Sequence, residues 1–314
     1  MSIKWQRNYS LTAQLNDGSL LTIAYPLTLE FSITRRAWSS TNRCQLRVKN
    51  LNPAHRQKIL RDAMDYTDFR SLTLSAGYGP SPWPNIFNGN VLQAYSFKES
   101  GSPDFITEWL GWDFGYPIST AFSNTTLSGS QPKQAVINNL VQNMVNAPNS
   151  LVPGNTQGNG LQVGYISAFP GTYPRGRVLF GSTWNILQQE SNGTAFIDNG
   201  FINVLQPNDT FGGGTINLDA NTGLLSPPRR TESYLEIEIL FEPSVKCGQQ
   251  VNLISQTVPE FNGTYQIFGI EHRGIISGSV NGKCTTKLLL YYQVQSFNQI
   301  SNQGLPSSAE GILG

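Results

Sequence analysis

The sequence predicts a mainly β fold of the α+β type: two β-barrels separated by a small α+β unit. Three observations carry this. Apolar and polar residues alternate with period two near both ends of the chain. Helical spacing is confined to a few short windows between them. The composition suits many short strands and turns, with 30 Gly, 18 Pro and only 13% charged residues in 314.

The first unit spans residues 1–115. Leu11 to Leu15 and Leu20 to Ala24 flank Asn16-Asp17-Gly18, a hairpin signal. Leu27, Leu29, Phe31 and Ile33 continue the alternation, and Cys44, Leu46 and Val48 repeat it. A helix over 53–64 follows, with Pro53 in its first turn and Ile59, Leu60, Ala63 and Met64 at helical spacing. Strands resume at Leu72 to Tyr78, Ile86 to Phe97 and Phe105 to Trp112. The unit reads as a barrel with a helix plugging one end.

The second unit, 116–222, changes character. Ala135, Val136, Leu140, Val141 and Met144 mark an amphipathic helix, and a Gly/Asn/Pro-rich loop follows over 147–160. Ser182 or Thr183 caps another helix carrying Trp184, Ile186 and Leu187. Two short strands follow, Ala195 to Asp198 and Phe201 to Leu205.

The third unit, 223–295, is the second barrel. Leu235, Ile237, Ile239 and Phe241 face one way, and Tyr234, Glu236, Glu238 and Leu240 the other. Val251 and Leu253, then Tyr265, Ile267 and Gly269, then Cys284 to Val294 complete it, with a Gly-rich turn at 277–282. Residues 296–314 form a polar tail, flexible or bound along a partner.

The formal net charge is +1, so no nucleic-acid footprint is expected. The first ten residues lack the shape of a signal peptide, and no stretch reaches about 18 apolar residues. The chain reads as soluble, made in the cytosol and not membrane-bound. Cys44, Cys247 and Cys284 read as buried free thiols, with one Cys247–Cys284 bridge left open.

The catalytic inventory is empty, and no cofactor or metal motif appears. His55 and His272 read as surface residues without metal-ligand spacing. Gly212-Gly213-Gly214 has no following Lys and reads as a turn. Asp198, Asp209, Asp219, Glu236 and Glu238 are the carboxylates to weigh for glycoside hydrolysis. Glu236 and Glu238 share one strand face at a spacing of about 6–7 Å. A solvated or interface-facing strand explains them better. Tyr78, Trp83 and Phe87, and Trp109 with Trp112, read as packing rather than a sugar platform.

Three stretches together resemble a known family. One is Gly223-Leu224-Leu225-Ser226-Pro227-Pro228-Arg229-Arg230-Thr231-Glu232, with the strand after it and then Phe241 to Val251. Another is Phe261 to Gly274, with Gly263, Tyr265 and His272-Arg273-Gly274. The third is Phe180 to Gln189 with the Asn199-Gly200 turn. In these stretches the chain resembles the late-control-like baseplate hub proteins of contractile-tailed bacteriophages and related injection machines.

The resemblance implies two tail-tube-like barrels per chain. It implies a homotrimeric, pseudo-six-fold ring between a hexameric tail tube protein and a trimeric central spike protein, with other baseplate proteins as further partners. DNA would pass through its channel without specific binding. The protein would be a non-enzymatic virion component assembled in the host cytoplasm. Arg229, Arg230, Glu232, Glu236 and Glu238 would be interface residues, the arginines pairing with a neighbour's carboxylates. The alternative reading is a carbohydrate- or receptor-binding module of a phage tail.

Overall fold

A computed structural model describes residues 6–38, 42–64, 69–113, 115–147, 160–206, 209–211, 214–231, 234–279 and 282–291. The 296–314 tail, Glu232 and Gly212-Gly213 lie outside the described residues.

The first unit contains β1 (Arg7–Gln14), β2 (Leu20–Ala24), β3 (Leu29–Arg36), β4 (Arg43–Lys49), α1 (Pro53–Ile59), β5 (Ser71–Tyr78), β6 (Asn85–Lys98) and β7 (Phe105–Trp112). β1 and β2 form the expected hairpin. At its turn Ser19 N donates to Asp17 Oδ1 at 3.0 Å, and Gly18 takes a φ of 80° that other residues resist. Alternate residues Tyr9, Leu11 and Ala13, then Leu29, Phe31 and Ile33, point into one core with Leu46, Leu74, Phe87 and Trp109.

The helix expected over 53–64 is shorter. Asn52 caps it, accepting from Ala54 N at 2.9 Å. It stops at Ile59 because Arg61 joins the sheet, exchanging backbone hydrogen bonds with Ala94 at 2.9 and 3.0 Å. Leu60 and Met64 therefore leave the apolar face and are exposed.

The second unit holds α2 (Gly115–Thr120), β8 (Phe122–Leu127), α3 (Lys133–Val145), β9 (Gln162–Ile166), β10 (Arg177–Ser182), α4 (Thr183–Glu190), β11 (Ala195–Asp198) and β12 (Phe201–Val204). α3 buries Val136, Ile137, Leu140, Val141 and Met144 in a core that also takes Trp184 and Leu187 of α4. Ser182 caps α4, accepting from Asn185 N. β11 and β12 form a hairpin whose turn, Asn199-Gly200, has positive φ at both residues (51° and 85°). β8 pairs with β10, and β9 runs parallel to β12.

β13 (Ile216–Leu218) falls within the range expected for the second unit. The third unit contains β14 (Arg229–Arg230), β15 (Tyr234–Leu240), β16 (Gln250–Leu253), β17 (Gly263–Ile276) and β18 (Cys284–Tyr291), and its β16 pairs with β13. Its core is built by Leu235, Ile237, Ile239, Val251, Leu253, Tyr265, Leu288 and Leu290.

The mainly β expectation holds, and the two expected β-units are continuous. They lie in one 13-stranded sheet, β14-β15-β18-β17-β3-β4-β7-β6-β5-β1-β2, with β16 and β13 branching from β17. β17 makes the continuity. Its first half pairs with β16, and its second half with β3 from Gly269↔Arg36 to Ile276↔Leu29. A register shift between Ile267 and Gly269 in the β18 ladder marks the crossing point.

The three cysteines are buried and free as expected, and the Cys247–Cys284 bridge left open is not formed, since the two belong to different cores. One expectation is corrected. His272 is not a surface residue. It lies on the inward face of β17 between β3 and β18 and is fully buried.

Candidate interface on the charged face of the sheet

The stretch before β15 folds back along it as a cover for the sheet edge. Leu225 N donates to Glu238 O and Leu240 N to Gly223 O, both at 2.8 Å. Gly223 sits close enough to Leu240 that an added Cβ would lie 3.3 Å from the Leu240 side chain. Pairing lapses at Pro227-Pro228, where no N–H is available, and resumes with Arg229 opposite Glu236. Prolines are tolerated here because this is the outer strand.

The return places Arg229 over the outward face of β15. There Arg229, Glu236 and Glu238 meet Glu271, Arg273 and Lys287 around a groove of about 380 Å³. Lys287 Nζ lies 2.9 Å from Glu236 Oε2, and Lys283 Nζ lies 2.6 Å from Glu238 Oε1. Glu271 takes Arg36 at 2.7 Å and Arg273 at 3.4 Å. The pattern continues on β3, β4 and β7 with Glu30–Lys49 and Glu108–Arg47, both at 3.2 Å. Charges of alternating sign thus cross the sheet on its outward face. Arg229 is exposed and has no ion pair among the described residues, and Arg230 is exposed beside it.

The electrostatics fix the protonation of this face. The hydrogen bond from Lys283 holds Glu238 below the usual carboxylate range. Burial pushes Glu271 up, but the bond and charge of Arg36 outweigh it, and Glu271 is also held low. A general acid for glycoside hydrolysis needs the opposite shift. The Glu236/Glu238 spacing is used here to anchor two lysines. Asp209 accepts from Tyr165 OH and Ser167 Oγ, at 2.9 and 2.8 Å. Asp219 accepts from the backbone of Asn221 and Thr222 in a turn. Neither lines the groove, nor does Asp198.

Asp198 belongs to a second, buried set. Arg35 Nε and Nη2 donate to its two oxygens at 2.6 and 2.7 Å, with both side chains under 5% exposed. Asn42 Nδ2 donates to Asp113 Oδ2 at 2.7 Å and to Ile197 O at 2.9 Å. This set joins β3, the end of β7 and the β11–β12 hairpin. Burial, and then the charge of Asp198, push the Asp113 carboxyl up to about 8. His272 donates or accepts at Thr286 Oγ1 through Nδ1 (2.9 Å), and burial holds its pKa well below the ordinary value. His55 is half-buried in α1. Among the described residues no group of three His, Cys, Asp or Glu could hold a metal ion, and no helix is long and apolar enough to cross a membrane.

The sequence reading missed Lys283, Lys287, Glu271, Arg273 and Arg36. Lys287, Glu271, Arg273 and Arg36 are outward residues on alternating strands, and Lys283 immediately precedes β18. Their meeting depended on β17 joining β3 to β18, which alternation does not encode.

A family model described as Baseplate hub gp41 matches residues 10–275. The chain belongs to that family. It is therefore a baseplate hub family protein, a component of a phage tail. The solved structures agree on the fold. The hub chain superposes on a tail protein from Neisseria meningitidis MC58 with a TM-score of 0.55 at 10% identity, covering 91% of this chain and 96% of that one. It also superposes on the 43 kDa tail protein of prophage MuSo2 from Shewanella oneidensis, with a TM-score of 0.56 at 9% identity, covering 90% and 98%. An E. coli component of the type VI secretion system, described as similar to T4 bacteriophage tail proteins gp27 and gp5, matches at a TM-score of 0.50 and 8% identity, covering 86% and 75%. By sequence, no curated protein matches the hub chain.

Proposed function

We propose that this hub protein forms a homotrimeric ring that joins a hexameric tail tube to a trimeric central spike. Each chain contributes two β-units, so three chains present six to the tube. The supporting observation is the single sheet in which β17 runs through both units. A rigid pair of units is what a three-fold object needs to meet a six-fold one. Residues 1–115, 116–222 and 223–295 serve in this reading as first β-unit, middle unit and second β-unit, with cores that cross these bounds: Phe241, Ile276 and Cys284 pack into the first core, and Ala37, Phe196 and Leu218 into the third.

The groove around Arg229, Glu236 and Glu238 is the subunit or tube contact in this reading, with Arg229 and Arg230 supplying charge for a neighbour's carboxylates. Rings need heterologous contacts that close. DNA passes through the channel without being held, which suits a formal net charge of +1. The protein acts as structure rather than as an enzyme. It is assembled in the host cytoplasm and does not enter a membrane.

Light scattering of the purified chain, alone and mixed with its tube and spike proteins, tests this. Three chains of 34.6 kDa give a particle of about 104 kDa that images as a ring with a central hole. A chain that stays monomeric with both partners present overturns the ring. Replacing Arg229 with Glu should abolish ring formation and leave the monomer folded by circular dichroism.

A further inference from the structure

We infer that a cavity at the meeting point of the three units is a binding site for a carboxylate carried on an aromatic or apolar body. The cavity has a volume of about 490 Å³, is lined in part by Arg35 and Asp198, and shares no lining residue with the groove on the outward face. That volume falls within the range of small-ligand sites, about 300–1,000 Å³. The walls are Tyr165 of β9, Phe201 of β12 and Phe211. Tyr165 and Phe211 meet edge to face, with ring centroids 5.5 Å apart. Phe201 is 43% exposed, a large ring left open to solvent at the cavity. Such rings accept a flat or apolar body.

The charge of the lining selects the rest of the ligand. Arg35 and Asp198 cancel as a bidentate pair. Nη1 of the same buried guanidinium has no hydrogen-bond partner among the described residues. Lys246 is exposed at the cavity and has no ion pair among the described residues. The lining therefore carries one uncompensated positive charge. One charge matches a monoanion, and Asp198 disfavours a multiply charged phosphate. A carboxylate meets Lys246 while its apolar body lies on Phe201 and the Tyr165–Phe211 pair. The backbone keeps the floor close. At Gly164 an added Cβ would come within 2.2 Å of Asn203 Oδ1.

The carboxylate can belong to a free small acid or to a peptide segment of a neighbouring protein. Calorimetric titration of the full chain separates the two. The probes are N-acetylphenylalanine, its neutral amide, and a short peptide capped at both ends with an internal Phe-Asp pair. One saturable site per chain for the acid or the peptide, and none for the amide, is expected. Tighter binding of the peptide assigns the site to a protein segment, and tighter binding of the acid to a small molecule. Lys246→Glu and Phe201→Ser, both at exposed positions, should each weaken binding roughly tenfold or more. Equal binding of acid and amide, heat from neither acid nor peptide, or unchanged affinity in both variants overturns the site.

Discussion

The Arg35–Asp198 pair and the Glu238–Lys283 pair use the same kinds of charge at the same short distance, 2.6 Å, in opposite surroundings. Arg35 and Asp198 are 1% and 4% exposed, whereas Lys283 is 72% exposed. Water and salt screen the outer pair, so it adds little to folding and stays available to a partner. Nothing screens the inner pair, so its two members depend on each other. One kind of charge pair thus lies exposed to solvent on the outward face and shielded from it at the junction of the units.

The largest effect should come from breaking the inner pair. Arg35→Leu leaves Asp198 buried without its partner and should cost about 3–5 kcal/mol, read as a fall in the denaturation midpoint. Combining it with Asp198→Leu should recover much of the loss, since the uncompensated charge is gone. A double variant as unstable as the single one would show that packing, not charge, holds the junction.

A smaller effect separates the two regions by pH. The folded chain keeps a proton on Asp113 up to about 8, whereas the ordinary value is 3.8. Its contribution to stability is complete below the ordinary value and is lost as pH rises through about 8. His272, held low, acts with the opposite slope below its ordinary 6.5. Between about pH 7 and about pH 8, before unfolded thiols ionise and the buried cysteines begin to act with the same sign, the Asp113 contribution therefore stands apart, and stability should fall with pH. Asp113→Asn should flatten that fall, which denaturation midpoints across the window would show. The outer carboxylates Glu238 and Glu271, both held low, should not contribute there.

The smallest effect belongs to the outer pair. Glu238→Gln should change folding stability by under about 1 kcal/mol, and added salt should erase the difference. A larger, salt-resistant loss would make this face part of the fold rather than a surface for assembly.

The two regions were also unequally legible in the sequence. Alternation along β15 showed Glu236 and Glu238 on one face, and the Asn199-Gly200 turn showed the β11–β12 hairpin. Both are local signals, carried by neighbours in the chain. The inner set was not legible. Arg35 and Asp198 are 163 positions apart, and each looks like an ordinary polar residue near a strand end. The helix expected over 53–64 forms but ends at Ile59 for a related reason, because the pairing of Arg61 with Ala94 overrode local spacing. The strands β8, β9 and β10 were missed because they are short and only partly buried, with little alternation to read. His272 was misplaced because its charged neighbours Glu271 and Arg273 face outward while it faces in.

The shared strand β17 has a mechanical meaning. Its two halves are gripped by β16 on one side of the crossing point and by β3 on the other, with β18 alongside both. A load applied to the third unit reaches the first as shear along a ladder of backbone hydrogen bonds, not as tension on a linker. The units cannot swivel or lag behind one another without stripping that ladder. The third unit is thus coupled to the first by the sheet itself, as within a single beam.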